Sequence, residues 1–349
     1  MIKYYTRACN FYYGLTSLEK VKKKLSLPLH GNKFISFDTI EIISRKKKRK
    51  LDLKSINNLK KPIKKKIQTD IKQISKKKFF KGLKFSNLPI LMGVLNLTPN
   101  SFSDGGKYNK KNFGELHAKK LIRDGCGILD IGGEATNPGS REVSMDEEWK
   151  RIFPTLSKIK KLKKFTSLDT RKSKIMERGI NNNINLVNDV SGLNHDTNTI
   201  NVLKDTNIPF VIHHMQGVPS TMQKNPKYEN VILDIYDFFE KKLKFLRSKK
   251  IKHNNIILDP GIGFGKNLKH NITILRNISI FHSLGFPVMI GTSRKRFIKN
   301  LSGINDSQER LGGTISSSLF AIMQGVQILR VHDVNEVMQS IKVFNTLKL

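Results

Sequence analysis

Polar residues suited to binding chemistry recur in eight groups along this 349-residue sequence, each directly after a short apolar run. The groups are residues 96–106, 132–140, 169–170, 188–192, 214–217, 259–266, 291–295 and 330–333. They mix carboxylates, amides, hydroxyls and basic side chains. Such a mixture can recognise a heteroaromatic ring, whose edge alternates hydrogen-bond donors and acceptors, and can hold an anion beside it.

The apolar runs that carry these groups predict the fold. They are residues 90–95, 128–131, 165–168, 184–187, 210–213, 256–258, 287–290 and 326–331. Amphipathic helical stretches follow them, most clearly at 229–250, where Val231, Ile235 and Phe239 recur at helical spacing. Short strands alternating with helices indicate βα units and a parallel sheet.

Eight such units in residues 89–349 predict an α/β fold, the (β/α)8 TIM barrel. A doubly wound open sheet is the alternative, but no glycine-rich dinucleotide fingerprint follows the first strand. In a TIM barrel the loops after the strands meet at one end. All eight polar groups are therefore expected to converge on one site.

Residues 1–88 have a different composition and form a basic N-terminal accessory region of uncertain fold. They hold 25 Lys and Arg against 5 Asp and Glu, in a chain of net charge +36. Short strands are predicted at 34–37 and 40–43, and a basic segment with isoleucines at irregular spacing follows at 60–84. The region is predicted to be a small accessory domain that ends in a solvated linker. Nucleic-acid binding is not favoured, because residues 46–78 lack interleaved aromatics.

The two cysteines, Cys9 and Cys126, have no metal-type spacing, which fits a reducing cytoplasm. No run of 18 apolar residues exists, and the first 20 residues are interrupted by charges. A cytoplasmic protein with no membrane partner is expected.

The eight polar groups, taken in order, resemble the dihydropteroate synthase family of pterin-binding TIM barrels over residues 90–349. The N-terminal region resembles more faintly an extension found in some bacterial members, as in Leu27-Pro28-Leu29. The resemblance implies a transferase that condenses (7,8-dihydropterin-6-yl)methyl diphosphate with 4-aminobenzoate, releasing diphosphate. It also implies Mg²⁺ as cofactor and a homodimer.

The resemblance assigns roles to the matching residues of this chain. The pterin-binding residues would be Asp169, Asn188, Asp259, Lys295, Met215 and Phe264. The diphosphate would contact Thr136, Arg330 and His332, and 4-aminobenzoate would contact Phe102, Thr136, Pro138 and Ser293. Asn96 would bind Mg²⁺, and Asp104, Arg330 and Lys295 would be catalytic, with Asp104 facing a pterin cation.

The residue types suit these roles. A buried carboxylate can accept two N–H groups of the ring, and an Asn offers one donor and one acceptor. Arginine and a helix N-terminus both favour a diphosphate. A single Asp at a strand end is more often a helix cap, but here matching neighbours surround it.

Two departures from the family pattern concern the loops. Asn137 stands where an anion-contacting arginine is usual, with Arg141 as a possible substitute, and Asn100 replaces the usual Asp. Two rival functions therefore stay open. One is a methyltransferase of the methyltetrahydrofolate-to-corrinoid type, and the other is a non-catalytic homologue that binds pterin or nucleic acid.

Overall fold

The structure is a computed structural model, and it describes residues 2–77, 79–85, 89–98, 112–136, 139–251 and 253–347. The chain first forms an antiparallel sheet with two helices. The elements are β1 (Tyr5–Tyr13), α1 (Gly14–Lys22), β2 (Leu27–Leu29), β3 (Asn32–Ile43), β4 (Lys48–Asp52), a 3-10 turn (Leu53–Asn58) and α2 (Lys61–Ser75). Strand β3 is central, since it pairs with β1 along one edge and with β2 and then β4 along the other.

This sheet corrects two expectations for the N-terminal region. The strands predicted at 34–37 and 40–43 are one continuous strand, β3. The predicted solvated linker is wrong for residues 61–75, because they form α2 and bury Ile67 and Ile74 completely. The isoleucines at 63, 67, 71 and 74 are four, four and three residues apart, which is the helical period.

The remaining elements alternate strand and helix. They are β5 (Ile90–Asn96), α3 (Phe113–Arg123), β6 (Ile128–Gly132), α4 (Met145–Ile159), β7 (Thr166–Asp169), α5 (Ser173–Asn181), β8 (Leu186–Asp189), α6 (Thr199–Thr206), β9 (Phe210–His213), α7 (Val231–Ser248), β10 (Ile256–Asp259), α8 (Leu268–Asn277), β11 (Met289–Ile290), α9 (Arg296–Ser302), α10 (Leu311–Ile322), β12 (Ile328–Val331) and α11 (Val334–Leu347). Further 3-10 turns are Lys160–Leu162, Ile278–Leu284 and Gln308–Arg310.

The eight strands β5 to β12 form one parallel sheet in the order β10-β9-β8-β7-β6-β5-β12-β11. A parallel bridge between Leu258 and Val288 joins β10 to the residue before β11, which closes the ring. The prediction of a (β/α)8 barrel is confirmed. The carboxyl ends of strands β5 to β12 lie together at one end of the barrel, which is called the mouth below.

The opposite end of the barrel is filled by apolar side chains. Phe80, which is 8% exposed, packs in one cluster with buried residues near the starts of seven strands. Leu83 and Phe85 pack against the same cluster. Residues 80–85 therefore close the floor of the barrel, while residues 86–88 lie outside the described part of the chain. The predicted domain boundary between 88 and 89 stays a prediction.

The N-terminal sheet packs against the outer helices of the barrel. The Tyr5 ring meets Tyr236 on α7 edge to face, with 5.1 Å between centroids. The Ser279 hydroxyl donates to the Ala8 carbonyl at 2.9 Å, and Lys3 pairs with Asp237 at 2.6 Å. These contacts hold β1 against α7 and the turn that follows α8. Among the described residues, no helix is long and apolar enough to cross a membrane.

Candidate functional site

A cavity of about 340 Å³ opens at the mouth of the barrel. Ten of the residues predicted from sequence line it together, although they come from different strand ends. They are Asn96, Thr136, Asp169, Asn188, Asp259, Phe264, Ser293, Lys295, Arg330 and His332. Parallel strands place their ends at one rim, which is why residues far apart in the chain meet here.

Four predicted site residues are not placed in this cavity. Met215, which follows β9, is half-buried and is absent from the cavity lining. Phe102, Asp104 and Pro138 lie outside the described residues. The two departures at positions 100 and 137 also lie outside them.

An ion-pair cluster forms the centre of the cavity wall. Arg330 on β12 donates from Nε to Asp130 Oδ2 and from Nη2 to Asp169 Oδ2, both at 2.7 Å. Burial raises the pKa of Asp169, and the Arg330 guanidinium opposes that rise. Burial alone would lower the pKa of Arg330, but Asp130 and Asp169 outweigh it and raise that pKa above its ordinary value. Arg330 Nη1 makes no hydrogen bond with a described residue.

Two buried oxygen atoms of the residues that line the cavity have no hydrogen-bond partner among the described residues. They are Oδ1 of Asp169 and Oδ1 of Asn188. The neighbouring atoms are engaged, since Asp169 Oδ2 accepts from Arg330 and Asn188 Nδ2 donates to Asp130 Oδ2 at 3.1 Å. Buried acceptors without a donor are energetically costly, so such atoms point to a ligand that donates.

Asp259, at the end of β10, adds a third carboxyl group to the cavity. Its Oδ1 accepts the Gly261 N–H at 2.7 Å. Burial, partly offset by that hydrogen bond, raises the pKa of Asp259 to about 6. Gly261 has φ +70°, and a Cβ there would lie 2.0 Å from the His214 carbonyl oxygen. Glycine is therefore required for the loop after β10 to pack against the loop after β9.

An aromatic and cationic wall faces these acceptors. The Lys295 ammonium lies 4.2 Å from the Phe264 ring centroid, and the His213 ring meets Phe264 edge to face at 4.5 Å. Burial, followed by the charge of Arg330, lowers the pKa of Lys295 to about 8. Lys295 thus remains mainly a hydrogen-bond donor near neutral pH. A flat ring would find apolar contact on Phe264 and a donor on Lys295.

Ser293 and His332 lie against each other at the end of the cavity. Ser293 Oγ lies 3.0 Å from His332 Nδ1 and accepts the His332 backbone N–H at 3.2 Å. Burial, followed by the charge of Arg330, lowers the pKa of His332 to about 3, so the imidazole is neutral at pH 7. Helix α11 begins two residues later, at Val334. This end offers uncharged donors and the guanidinium of Arg330 to an anion.

Sequence reasoning missed Asp130, which is wholly buried in β6 and contacts both Arg330 and Asn188. It also missed Lys266, whose Nζ donates to the Phe264 carbonyl at 2.9 Å and lies 3.0 Å from His214 Nδ1. Burial lowers the pKa of Lys266 to about 7. The available signal for Asp130 was an ionisable residue within the apolar run 128–131, a place where charges are rarely buried without a partner.

A buried charge network holds the base of the loop after β6. Glu134 Oε1 pairs with Arg171 and Oε2 with Lys172, both at 2.9 Å, and Lys172 also pairs with Glu148 at 2.7 Å. Glu134 is two residues before Thr136, and Glu148 lies on α4, on the other side of that loop. The network therefore fixes both sides of the loop that carries Thr136 into the cavity.

The comparisons with known proteins agree with this geometry. A family model described as Pterin binding enzyme matches residues 92–332. The dihydropteroate synthase of Escherichia coli strain K12 is 38% identical over 256 residues, which cover 73% of this chain and 90% of that protein. The dihydropteroate synthase of Neisseria meningitidis serogroup B is 40% identical over 264 residues, covering 74% and 93%.

Solved structures give the same result. A dihydropteroate synthase of Yersinia pestis with a sulfonamide drug superposes with TM-score 0.73 at 35% identity, covering 78% of this chain and 98% of that one. A Xanthomonas albilineans dihydropteroate synthase in complex with 7,8-dihydropteroate superposes with TM-score 0.68 at 30% identity, covering 76% and 95%. The family model begins at residue 92, so the N-terminal sheet lies outside it.

Proposed function

Because the chain belongs to the pterin-binding enzymes and, among them, to the dihydropteroate synthases, we infer that it condenses (7,8-dihydropterin-6-yl)methyl diphosphate with 4-aminobenzoate. The products are 7,8-dihydropteroate and diphosphate, which makes the protein a transferase of folate biosynthesis. In this reaction the methylene C–O bond breaks, a C–N bond forms, and the amine loses one proton.

The acceptor-rich wall of the cavity carries this assignment. The pterin edge offers N–H groups, and the cavity offers the unpartnered Oδ1 atoms of Asp169 and Asn188 together with the Asp259 carboxyl. A ring that donates to these atoms removes the cost of leaving buried acceptors without hydrogen bonds. Phe264 would pack on the ring face, and Lys295 would donate to a ring acceptor. We assign the pterin to this wall.

The leaving diphosphate is assigned to the end of the cavity that holds Arg330 and His332. Two of the three guanidinium nitrogens of Arg330 are held by carboxylates, and Nη1 is left for an oxygen of the diphosphate. Fixed donors stabilise the negative charge that grows on the diphosphate as the C–O bond breaks. Thr136, held by the Glu134 network, would contribute a further contact.

Asn96 fits the predicted role of a Mg²⁺ ligand, with the diphosphate supplying further oxygens. Its carboxamide oxygen lines the cavity and is a donor of the hard type that Mg²⁺ prefers. When bound, Mg²⁺ would neutralise charge on the diphosphate. Among the described residues, no group of three or more His, Cys, Asp or Glu could hold a metal ion.

The attacking group is the aromatic amine of 4-aminobenzoate, so no nucleophilic side chain is needed. We place this substrate against Thr136, Phe102, Pro138 and Ser293, and we place Asp104 opposite the reacting methylene carbon. Ser293 also contacts His332, so it adjoins the diphosphate end as well.

We propose that the protein is a cytoplasmic homodimer. Exposed apolar side chains support the dimer, since Phe320 on α10, Met323 just after it, and Val343 and Leu347 on α11 are between 43% and 81% exposed. A second copy of the chain could bury these side chains. The free thiols of Cys9 and Cys126 fit a reducing compartment.

Release of diphosphate tests the function directly. Purified protein with Mg²⁺ and the pterin diphosphate should release diphosphate only when 4-aminobenzoate is added, and dihydropteroate should form in equal amount. The methyltransferase rival predicts no diphosphate release. Pterin binding without turnover would instead favour the non-catalytic homologue and overturn the synthase assignment.

A further inference from the structure

Asp130 lies in the middle of β6, and its side chain is completely buried beneath the pterin cavity. It is not among the residues that line the cavity. One of its two oxygen atoms, Oδ2, accepts from two residues that do line it, Arg330 Nε at 2.7 Å and Asn188 Nδ2 at 3.1 Å. The other, Oδ1, is buried without a hydrogen-bond partner among the described residues. Asp130 therefore contacts the cavity through Arg330 and Asn188.

The contact with Asp130 decides which way the Asn188 amide points. A carboxylate oxygen that takes two N–H groups acts only as an acceptor, so the amide nitrogen of Asn188 must face it. Turning the amide over would set two oxygen atoms against each other at about 3 Å, without a hydrogen between them. Asn188 is therefore held with Oδ1 and its second N–H directed away from Asp130.

This orientation matters because a pterin and its 2-oxo counterpart present opposite patterns of hydrogen-bond donors and acceptors along one ring edge. The 2-amino-4-oxo ring of a pterin sets a ring-nitrogen acceptor beside an amino donor. The 2,4-dioxo ring of a lumazine sets a ring N–H donor beside a carbonyl acceptor. One orientation of an Asn amide matches the first edge, and the reversed orientation matches the second.

We propose that Asp130 is a positioning residue that fixes the Asn188 amide and so makes the site selective for 2-amino-4-oxo rings over 2,4-dioxo rings. The proposal rests on the assignment of the pterin to this cavity. The unpartnered Asn188 Oδ1 is the atom that would accept from the ring amino group. Arg330 also pairs with Asp169 at 2.7 Å, a contact that does not involve Asp130.

The test compares two rings on two matched variants of the full-length protein. Asp130→Leu keeps a buried side chain of similar size but removes the oxygen that accepts the Asn188 N–H, so the Asn188 amide can take either orientation. Asp130→Asn is the matched control, because its amide oxygen should face the donor Arg330 Nε and so still accept the Asn188 N–H. The dissociation constants of 6-hydroxymethylpterin and 6-hydroxymethyllumazine are measured for each protein.

Wild type and Asp130→Asn should prefer the pterin, by about a hundredfold or more, because the wrong ring leaves buried polar groups unpaired. Asp130→Leu should lower this ratio at least tenfold, mainly by tighter lumazine binding. A ratio unchanged in Asp130→Leu, even with weaker binding of both rings, would overturn the role of Asp130. A wild-type protein with no preference would overturn the assignment of the pterin to the cavity itself.

Discussion

The barrel mouth and the N-terminal sheet both carry many charged residues, but they use them in different ways. At the mouth, the buried Asp169 and Asp130 pair with the half-buried Arg330, and each has an oxygen atom without a partner among the described residues. In the N-terminal region, Lys3 and Arg45 are partly exposed and pair with acidic residues of α7. Buried charged residues that keep an unpaired hydrogen-bonding atom therefore indicate a functional site. The partly exposed ion pairs instead hold the N-terminal region against α7.

Removing the N-terminal sheet should have the largest effect. A chain that starts at residue 76 keeps the floor residue Phe80 but uncovers the contacts of Tyr236 and Ser279 with β1. Tyr236, Ile280 and Phe281 are at most 2% exposed in the whole protein. We expect insoluble or unfolded protein, measured by the soluble fraction and by circular dichroism. A soluble chain with full turnover would show that the sheet is only an appendage.

Arg330→Met should have the next largest effect. The substitution leaves Asp130 and Asp169 buried without their cation, which costs about 3–5 kcal/mol of folding free energy. Turnover should fall about 10²-fold to 10³-fold, because a donor to the leaving diphosphate is lost. Thermal melts and diphosphate release measure the two effects. The control is Arg178→Met, whose ion pair with Asp146 is exposed and contributes less than about 1 kcal/mol.

The pH dependence of pterin binding should follow Asp259, whose pKa is about 6 in the folded protein. Below that pH the carboxyl gains a proton and loses an acceptor, so pterin affinity should fall about tenfold per pH unit. The empty protein shows the opposite trend. Because the folded pKa lies above the ordinary value, the Asp259 contribution to stability declines as pH rises from about 4 to 6.

Isothermal titration of a pterin between pH 4.5 and 8 checks the binding trend. Asp259→Asn should bind the pterin more weakly than the wild type at pH 8. Its pterin affinity should no longer fall as the pH drops below about 6. An identical pH profile in the variant would assign the titration to another group.

Arg45→Met should have the smallest effect. Arg45 pairs with Asp234 at 2.9 Å and with Asp237 at 3.1 Å, but its side chain is 36% exposed. We expect a loss of at most about 1 kcal/mol, seen as a small drop in Tm that disappears at high salt. Lys46→Met, at an exposed position next to it, is the matched control and should leave Tm unchanged. A large salt-independent drop would mean that Arg45 has a packing role.

The sequence by itself determined the barrel and most of its mouth. Eight apolar runs, each followed by polar residues, were enough to predict the strands and the convergence of the polar groups, and the family resemblance named the ten residues that line the cavity. The reason is that the strand period is local and the ends of parallel strands share one rim. The helical period is local in the same way, and the isoleucines of α2 follow it, although the prediction treated their spacing as irregular.

The tertiary structure alone decided how the charges pair. Asp130 lies in an apolar run, and Arg330 is 200 positions away in the chain, yet they are 2.7 Å apart. Ring closure brings β12 beside β5 and so close to β6, and no local periodicity records that contact. The docking of β1 on α7 has the same origin, since Tyr5 and Asp237 meet only when the barrel has formed. Long-range pairing depends on the packed fold, whereas the strands that carry the pairs depend on local sequence.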